Sequence, residues 1–374
     1  MTPVPFLDLA AQQAEIVDEV LPVWRAQLES ASFIGGAEVE AFEREFADYI
    51  GATHVVGVSN GTDALELAYR AVGIAPGDEV LVPANTFIAT AEALSRIGAV
   101  PVFVDVDDEY LLMDADAVEA AITARTRAIV PVHLFGQTAP MDLLRPIAQR
   151  HDLVLIEDAA QAQGAASTAG RAGALARVAA TSFYPGKNLG AAGDAGAVLT
   201  DDAEVAALVR TLAAHGSSVK YVHDHVGVNA RLDAVQAAVL RSKLRRLERW
   251  NQARRAAAGR YAELLRESDV RIPTVRPGNV DVWHLYVVRV DDRDRVLAEL
   301  AAAGIGTGIH YPTPVPLTEA YASLGYRRGQ FPVAEAAADS ILSLPMFPHL
   351  TEGQQDRVAE TLVHAAARYA PAGS

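Results

Sequence analysis

The stretch DLVLIEDAAQA (Asp152–Ala162) runs four apolar residues, Leu153 to Ile156, directly into two carboxylates, Glu157 and Asp158. A short apolar run without polar alternation is what a strand covered on both faces requires. The chain on either side repeats the theme. Strands are predicted at HVVGVS (His54–Ser59), Glu79–Val82, Pro101–Val106, Ala128–Leu134 and Leu153–Glu157, and two more in AATSFYP (Ala179–Pro185) and GAVLTD (Gly196–Asp201). Helical stretches fall between them, near Thr62–Gly73 and Ile88–Gly98. Strands alternating with helices predict an α/β fold, a mostly parallel sheet of about seven strands with helices on both faces. From about Glu204 the pattern reads as helical to about Ser268. VWHLYVVRV (Val282–Val290) then reads as a strand followed by a helix through Ala303, and GIGTGIHYP (Gly304–Pro312) as a further strand. The last helices are expected near Glu335–Leu342 and Glu352–Tyr369. The organisation expected is a large domain over residues 1–245, with an N-terminal arm, and a smaller α+β domain over residues 246–374.

Composition narrows the function classes. The chain has 374 residues, is 51% hydrophobic and 21% charged, and has a net charge of −15. Such a surface disfavours nucleic acid as a partner. No apolar run is long enough to span a bilayer, and the N-terminus reads as no secretory signal, so a cytoplasmic protein is expected. The absence of cysteine removes thiolate metal sites and cysteine nucleophiles. His223 and His225 stand two apart with no carboxylate at ligand spacing, so no metal site is expected. The basic stretch Arg241–Arg260, with Leu240, Leu244, Leu247 and Trp250 at helical spacing, reads as an amphipathic helix with a solvated basic face.

Several residues carry chemistry as a set and little singly. Asp158, at the carboxyl end of a parallel strand, sits where open α/β sheets place ligands; it could equally cap a following helix. Lys187, in SFYPGKNLG (Ser182–Gly190), could bind phosphate, form a Schiff base or lie on the surface. Gly61 and Thr62, in NGTDAL, could present backbone N–H groups to a phosphate at a helix start, with the Ser182 hydroxyl as a second donor. Phe87, in ANTFIAT, is either a ring-stacking residue or a core aromatic. Gln161 is either a donor to a ligand oxygen or a surface residue. Lysine, carboxylate, phosphate donors, stacking ring and oxygen donor are together what pyridoxal phosphate asks of its protein.

The chain resembles the DegT/DnrJ/EryC1/StrS family of sugar aminotransferases. The resemblance runs from PFLDL (Pro5–Leu9) to LPMFPHLT (Leu344–Thr351), through SNGTDAL, PANTFIAT, EDAAQA, SFYPGKNLG and GVNARLDAVQAAVL (Gly227–Leu240). It implies the pyridoxal-phosphate fold type I. It implies the lysine of KNLG, Lys187, as the Schiff-base residue. Asp158 and Gln161 would meet the pyridine nitrogen and the phenolic oxygen. Gly61, Thr62 and Ser182 would bind phosphate, and Phe87 would stack on the ring. Asn229 would reach the phosphate of the neighbouring subunit's cofactor, hence a homodimer with shared active sites. The segments HGSSVKYVHDHVG (His215–Gly227) and GIHYPTPVPLTEAYASLGY (Gly308–Tyr326) resemble the branch acting on dTDP-3-keto-6-deoxyhexoses with L-glutamate as donor. That makes Lys220, Tyr221, Arg231, His310 and Tyr311 the expected substrate contacts. Two positions depart from the family's pattern: Ala195 replaces a glycine, and Pro316 a frequent histidine.

Overall fold

In the computed structural model, which describes residues 2–369, seven strands form one sheet. They are β1 (His54–Val58), β2 (Glu79–Pro83), β3 (Val100–Val104), β4 (Thr126–Ile129), β5 (Val154–Asp158), β6 (Val178–Ser182) and β7 (Gly196–Thr200). Their order is β1-β7-β6-β5-β4-β2-β3. β7 runs antiparallel to both β1 and β6, and every other pairing is parallel. Every residue of β2 and of β7 is buried, which is why these segments show no alternation. One face packs on the helices Gly61–Ala71 and Ala89–Arg96, with Leu67, Tyr69 and Leu94 wholly buried. The other carries the Ala37–Ile50 helix, where Phe42 and Phe46 meet the ring of Phe183 edge-on.

A 32-residue helix, Ala234–Leu265, links this layer to a C-terminal unit, and the 245/246 division lies within it. Its first half packs into the Phe42 cluster; its second half packs with Tyr286, Val288, Leu300 and Leu362. Antiparallel strands Tyr286–Arg289 and Ile341–Leu344 and helices Arg293–Ala302 and Glu352–Tyr369 complete the unit. The N-terminal arm crosses to it, Val4 exchanging backbone hydrogen bonds with Gly304 and Gly306.

Five expectations need correction. The helical reading from Glu204 to Ser268 is broken by a hairpin, Ser217–Val219 with Val222–His223, because Gly216 turns the chain at φ 70°. GIGTGIHYP makes only isolated bridges. The pairing partner of Tyr286–Arg289 is instead Ile341–Leu344, which ends the expected last-but-one helix at Ser340. β4 stops at Ile129, before the kinked turn at Leu134–Gly136. The basic helix is also not solvated along its length. Arg241 pairs with Glu38 at 2.7 Å and Glu45 at 2.6 Å, and Arg245 with Glu19 at 2.6 Å. Glu19 is pulled down to about 2, chiefly by its hydrogen bond from Arg246. Each such half-exposed pair contributes only about 0–1 kcal/mol, but together they orient the N-terminal helices. Among the described residues no helix is long and apolar enough to cross a membrane.

Candidate active site

The carboxyl ends of β1, β2, β5 and β6 surround a cavity of about 560 Å³, within the roughly 300–1,000 Å³ of small-molecule sites. Each strand delivers its residues by stopping there. After β1, Asn60 caps the Gly61–Ala71 helix, its Oδ1 accepting from the Asp63 N–H at 2.8 Å. Helix geometry leaves the N–H groups of Gly61 and Thr62 without intrahelical acceptors at the positive end of the helix dipole. Ser182 ends β6 opposite them. Gly61 is required by this approach, since a Cβ there would stand 2.6 Å from Ser182 Cβ. A Gly61→Ala variant should lose about 1–3 kcal/mol of stability and bind phosphate-bearing ligands more weakly. Denaturant unfolding and cofactor titration check this.

Asp158 ends β5 and is 5% exposed. Its Oδ2 accepts from Thr90 Oγ1 at 2.7 Å, and Thr90 in turn meets Thr86 Oγ1 at 2.8 Å. No helix follows, so the capping alternative falls away. Gln161 is buried, not superficial. Its Oε1 accepts from the Phe135 N–H at 2.7 Å, and its Nε2 donates to the Tyr311 hydroxyl at 3.1 Å. Phe87 is 52% exposed and borders the cavity with its ring 5.5 Å from that of Tyr311. It is therefore no core aromatic.

The chain's lysines are Lys187, Lys220 and Lys243. Lys187 lines the cavity with Asp158. Burial lowers its amine to about 8, against the opposing pull of the Asp158 carboxylate. Burial lowers Lys243 to about 8 as well, but its Nζ is spent on the Gly190 carbonyl at 2.7 Å, away from the cavity. Position, not acidity, separates the two. Lys220 lies at the tip of the exposed hairpin, its Nζ 5.1 Å from the ring centre of Tyr221, which is 82% exposed.

Gly61, Thr62, Phe87, Asp158, Gln161, Ser182, Lys187, His310 and Tyr311 thus converge on one cavity. Lys220, Tyr221, Asn229 and Arg231 do not. Asn229 and Arg231 are exposed and bonded to each other, Arg231 Nη2 donating to Asn229 Oδ1 at 2.9 Å. Pro316 also stands outside the lining. His310, stacked on Phe6 with 5.7 Å between ring centres, is lowered to about 4 by burial and by Lys187. Burial raises the Tyr311 hydroxyl. Sequence reasoning missed Thr86, Tyr184, Asp194 and His284 in the lining, and Thr90 behind it. Thr86, Thr90 and Tyr184 lie inside quoted motifs, so proximity to Phe87 and Lys187 was their one available signal.

The donor set suits a phosphorylated aromatic aldehyde. It combines an amine depressed toward neutrality, a buried carboxylate, a helix-start phosphate cradle that a methyl group would fill, and an exposed ring at the cavity edge.

Residues 14–363 match the DegT/DnrJ/EryC1/StrS aminotransferase family. The erythromycin biosynthesis sensory transduction protein EryC1 of Saccharopolyspora erythraea is 50% identical over 96% of this chain and 98% of its own length. The dTDP-3-amino-3,4,6-trideoxy-alpha-D-glucose transaminase of Streptomyces venezuelae is 48% identical over 96% of this chain and 95% of its own. The crystal structure of S. venezuelae DesV superposes with a TM-score of 0.96 at 47% identity, covering 98% of this chain and 99% of that one.

Proposed function

Because the chain belongs to the DegT/DnrJ/EryC1/StrS aminotransferase family, whose cofactor is pyridoxal phosphate, we propose that it moves the amino group of L-glutamate onto a nucleotide-linked keto-deoxysugar, a dTDP-3-keto-6-deoxyhexose. The observation that carries the reading is Lys187: it is the lysine that shares the cavity with Asp158. Bound pyridoxal phosphate supplies an electron sink for the carbon that loses or gains a proton. The residues do the rest. Gly61, Thr62 and Ser182 hold the phosphate. Asp158, kept in aim by Thr90, holds a proton on the pyridine nitrogen. Phe87 covers the ring face, and Gln161 donates to the phenolic oxygen. Lys187 holds the cofactor and then, as a free amine, carries the proton between donor and acceptor carbons. His310 and Tyr311 meet the sugar. The division into residues 1–245 and 246–374, and a cytoplasmic site of action, belong to the same proposal.

Lys187 works only as a neutral amine. The neutral fraction rises with pH through about 8, so the rate of either half-reaction should climb about tenfold per pH unit below that value and level off above it. Stopped-flow spectra across pH check this. A flat profile from acid to alkaline pH would reject Lys187 as the proton carrier.

The exposed hairpin fits a homodimer with shared sites. Val219, Tyr221, Val222 and Val226 are apolar, exposed and flank Lys220; covering them with a second copy would carry Lys220, Asn229 and Arg231 to the partner's cavity. There Lys220 and Arg231 would meet the substrate's pyrophosphate through charge-assisted hydrogen bonds of about 1.5–3 kcal/mol each. Lys220→Ala should therefore weaken sugar-nucleotide use by roughly 10- to 150-fold and spare the glutamate half-reaction. Mixing it with Lys187→Ala should restore one intact site per mixed dimer. NMR of the product should place the amine on C3. An amine on C4 would reject the 3-keto assignment, and equal damage to both half-reactions would reject the role of Lys220. A cofactor-binding regulator would show no half-reaction with glutamate at all.

A further inference from the structure

A buried chain of amides beside Lys187 sets the tautomer of a histidine that the proposed reaction leaves unused. Asn188, the next residue after Lys187, is 2% exposed. Its Nδ2 donates to the Val282 carbonyl at 2.9 Å and to Asn251 Oδ1 at 2.9 Å. Asn251 Nδ2 donates to the Gln163 carbonyl at 3.0 Å. A backbone carbonyl can only accept, so both carboxamides have one permitted orientation. Asn188 Oδ1 is then the atom that meets His284 Nδ1, at 3.1 Å. An amide oxygen also can only accept, so Nδ1 must carry the hydrogen. The imidazole's remaining nitrogen, Nε2, has no hydrogen-bond partner among the described residues, and His284 lines the cavity with Lys187.

The ring is also kept neutral. Burial, then electrostatic coupling to the basic groups of Lys187, Arg254 and His310, holds it well below the usual histidine range. Arg254 fastens this corner, donating to the Trp283 carbonyl at 3.1 Å and the Met346 carbonyl at 2.8 Å. The carboxylates lining the same cavity are Asp158, whose charge acts on Lys187, and Asp194. A neutral imidazole with its hydrogen committed to Nδ1 presents a lone pair at Nε2 and no donor.

We propose that His284 is a positioning residue for the reacting lysine: Nε2 accepts an N–H of the Lys187 amine and so aims that amine's own lone pair at the carbon whose proton it carries. Asn188 couples the two, since it adjoins Lys187 in sequence and holds His284 through its side chain. The proposal rests on the reading of Lys187 as the proton carrier. It assigns the imidazole a role in both half-reactions and none in sugar recognition.

The holoenzyme labelled with ¹⁵N-histidine tests it, His284 being assigned by its loss in His284→Gln. The expected result is a protonated Nδ1 and an unprotonated Nε2 that do not titrate between about pH 6 and 9, with the Nε2 resonance shifting in Lys187→Ala. A hydrogen on Nε2, or a resonance indifferent to Lys187, overturns the proposal. Kinetics supply the second arm. His284→Phe keeps an aromatic ring but removes both ring nitrogens, the acceptor included, and should lower kcat about 10- to 100-fold in both half-reactions with KM little changed. His284→Gln restores an acceptor and should recover most of that loss. Equal losses in the two variants would mark a packing role, and a change confined to sugar KM a substrate contact; either overturns the proposal. Attachment of the cofactor to another lysine would instead overturn the reading on which it rests, and peptide mapping reports that separately.

Discussion

Replacing Lys187 with alanine is expected to lower kcat by roughly 10⁴-fold or more, because in the proposed function it is both the cofactor's covalent partner and the group that carries the proton. The fold should survive the change. Among the described residues Lys187 forms no ion pair at contact distance, and its burial lowers its amine toward neutrality, so the truncation removes a desolvation penalty along with a side chain. Lys220 offers no substitute, since it lies outside this chain's cavity and is assigned to the substrate's pyrophosphate, and Lys243 is held by Gly190. Residual activity should therefore reappear only with an added small amine that can enter the 560 Å³ cavity. Steady-state kinetics with and without the amine, beside a thermal melt, provide the check. Retention of more than a few per cent of wild-type turnover by a folded, cofactor-loaded variant would remove Lys187 from the chemistry.

Asp158→Asn is expected to produce the second-largest effect. The carboxamide preserves shape and can still accept from Thr90, but it no longer holds a proton on a pyridine nitrogen. Losing one charge-assisted contact of this kind costs about 3 kcal/mol, or roughly 150-fold in turnover. A second readout distinguishes electrostatics from misfolding. The Asp158 charge holds the Lys187 amine up against the larger effect of burial. Its removal should move the acid limb of the pH–rate profile to lower pH, below about 8. A loss of rate with an unmoved limb would mean that Asp158 acts by structure alone.

The sheet was legible because its strands are uninterrupted apolar runs. Val55–Val58, Val80–Val82 and Leu155–Ile156 are buried whichever face they point to, so no periodicity needed to be found. The hairpin at Ser217–His223 lacked that signal: its apolar residues Val219 and Val222 are exposed. Ile341–Leu344 follows an alanine-rich helix without a glycine or proline to mark the change. VWHLYVVRV reads as one strand, yet pairing begins only at Tyr286, since Trp283 takes a left-handed φ of 47° in the turn that brings His284 to the cavity. Long-range charge pairing was equally hidden. Nothing local tells Arg241 that Glu38 and Glu45 will face it, or that Arg254 will be buried among carbonyls. Of the candidate site, the residues at strand ends and inside glycine-bearing motifs were readable. Thr90 and His284 contact site residues distant in sequence, Asp158 and Asn188, and only the fold brings those together.

The central claim, that Lys187 holds the cofactor, is tested most directly by reducing the yellow holoenzyme with borohydride and mapping the modified peptide. The visible band should disappear and the adduct should lie on the peptide containing SFYPGKNLG, at Lys187. An adduct at Lys220 or Lys243, or reduction that leaves every lysine unmodified, would contradict it.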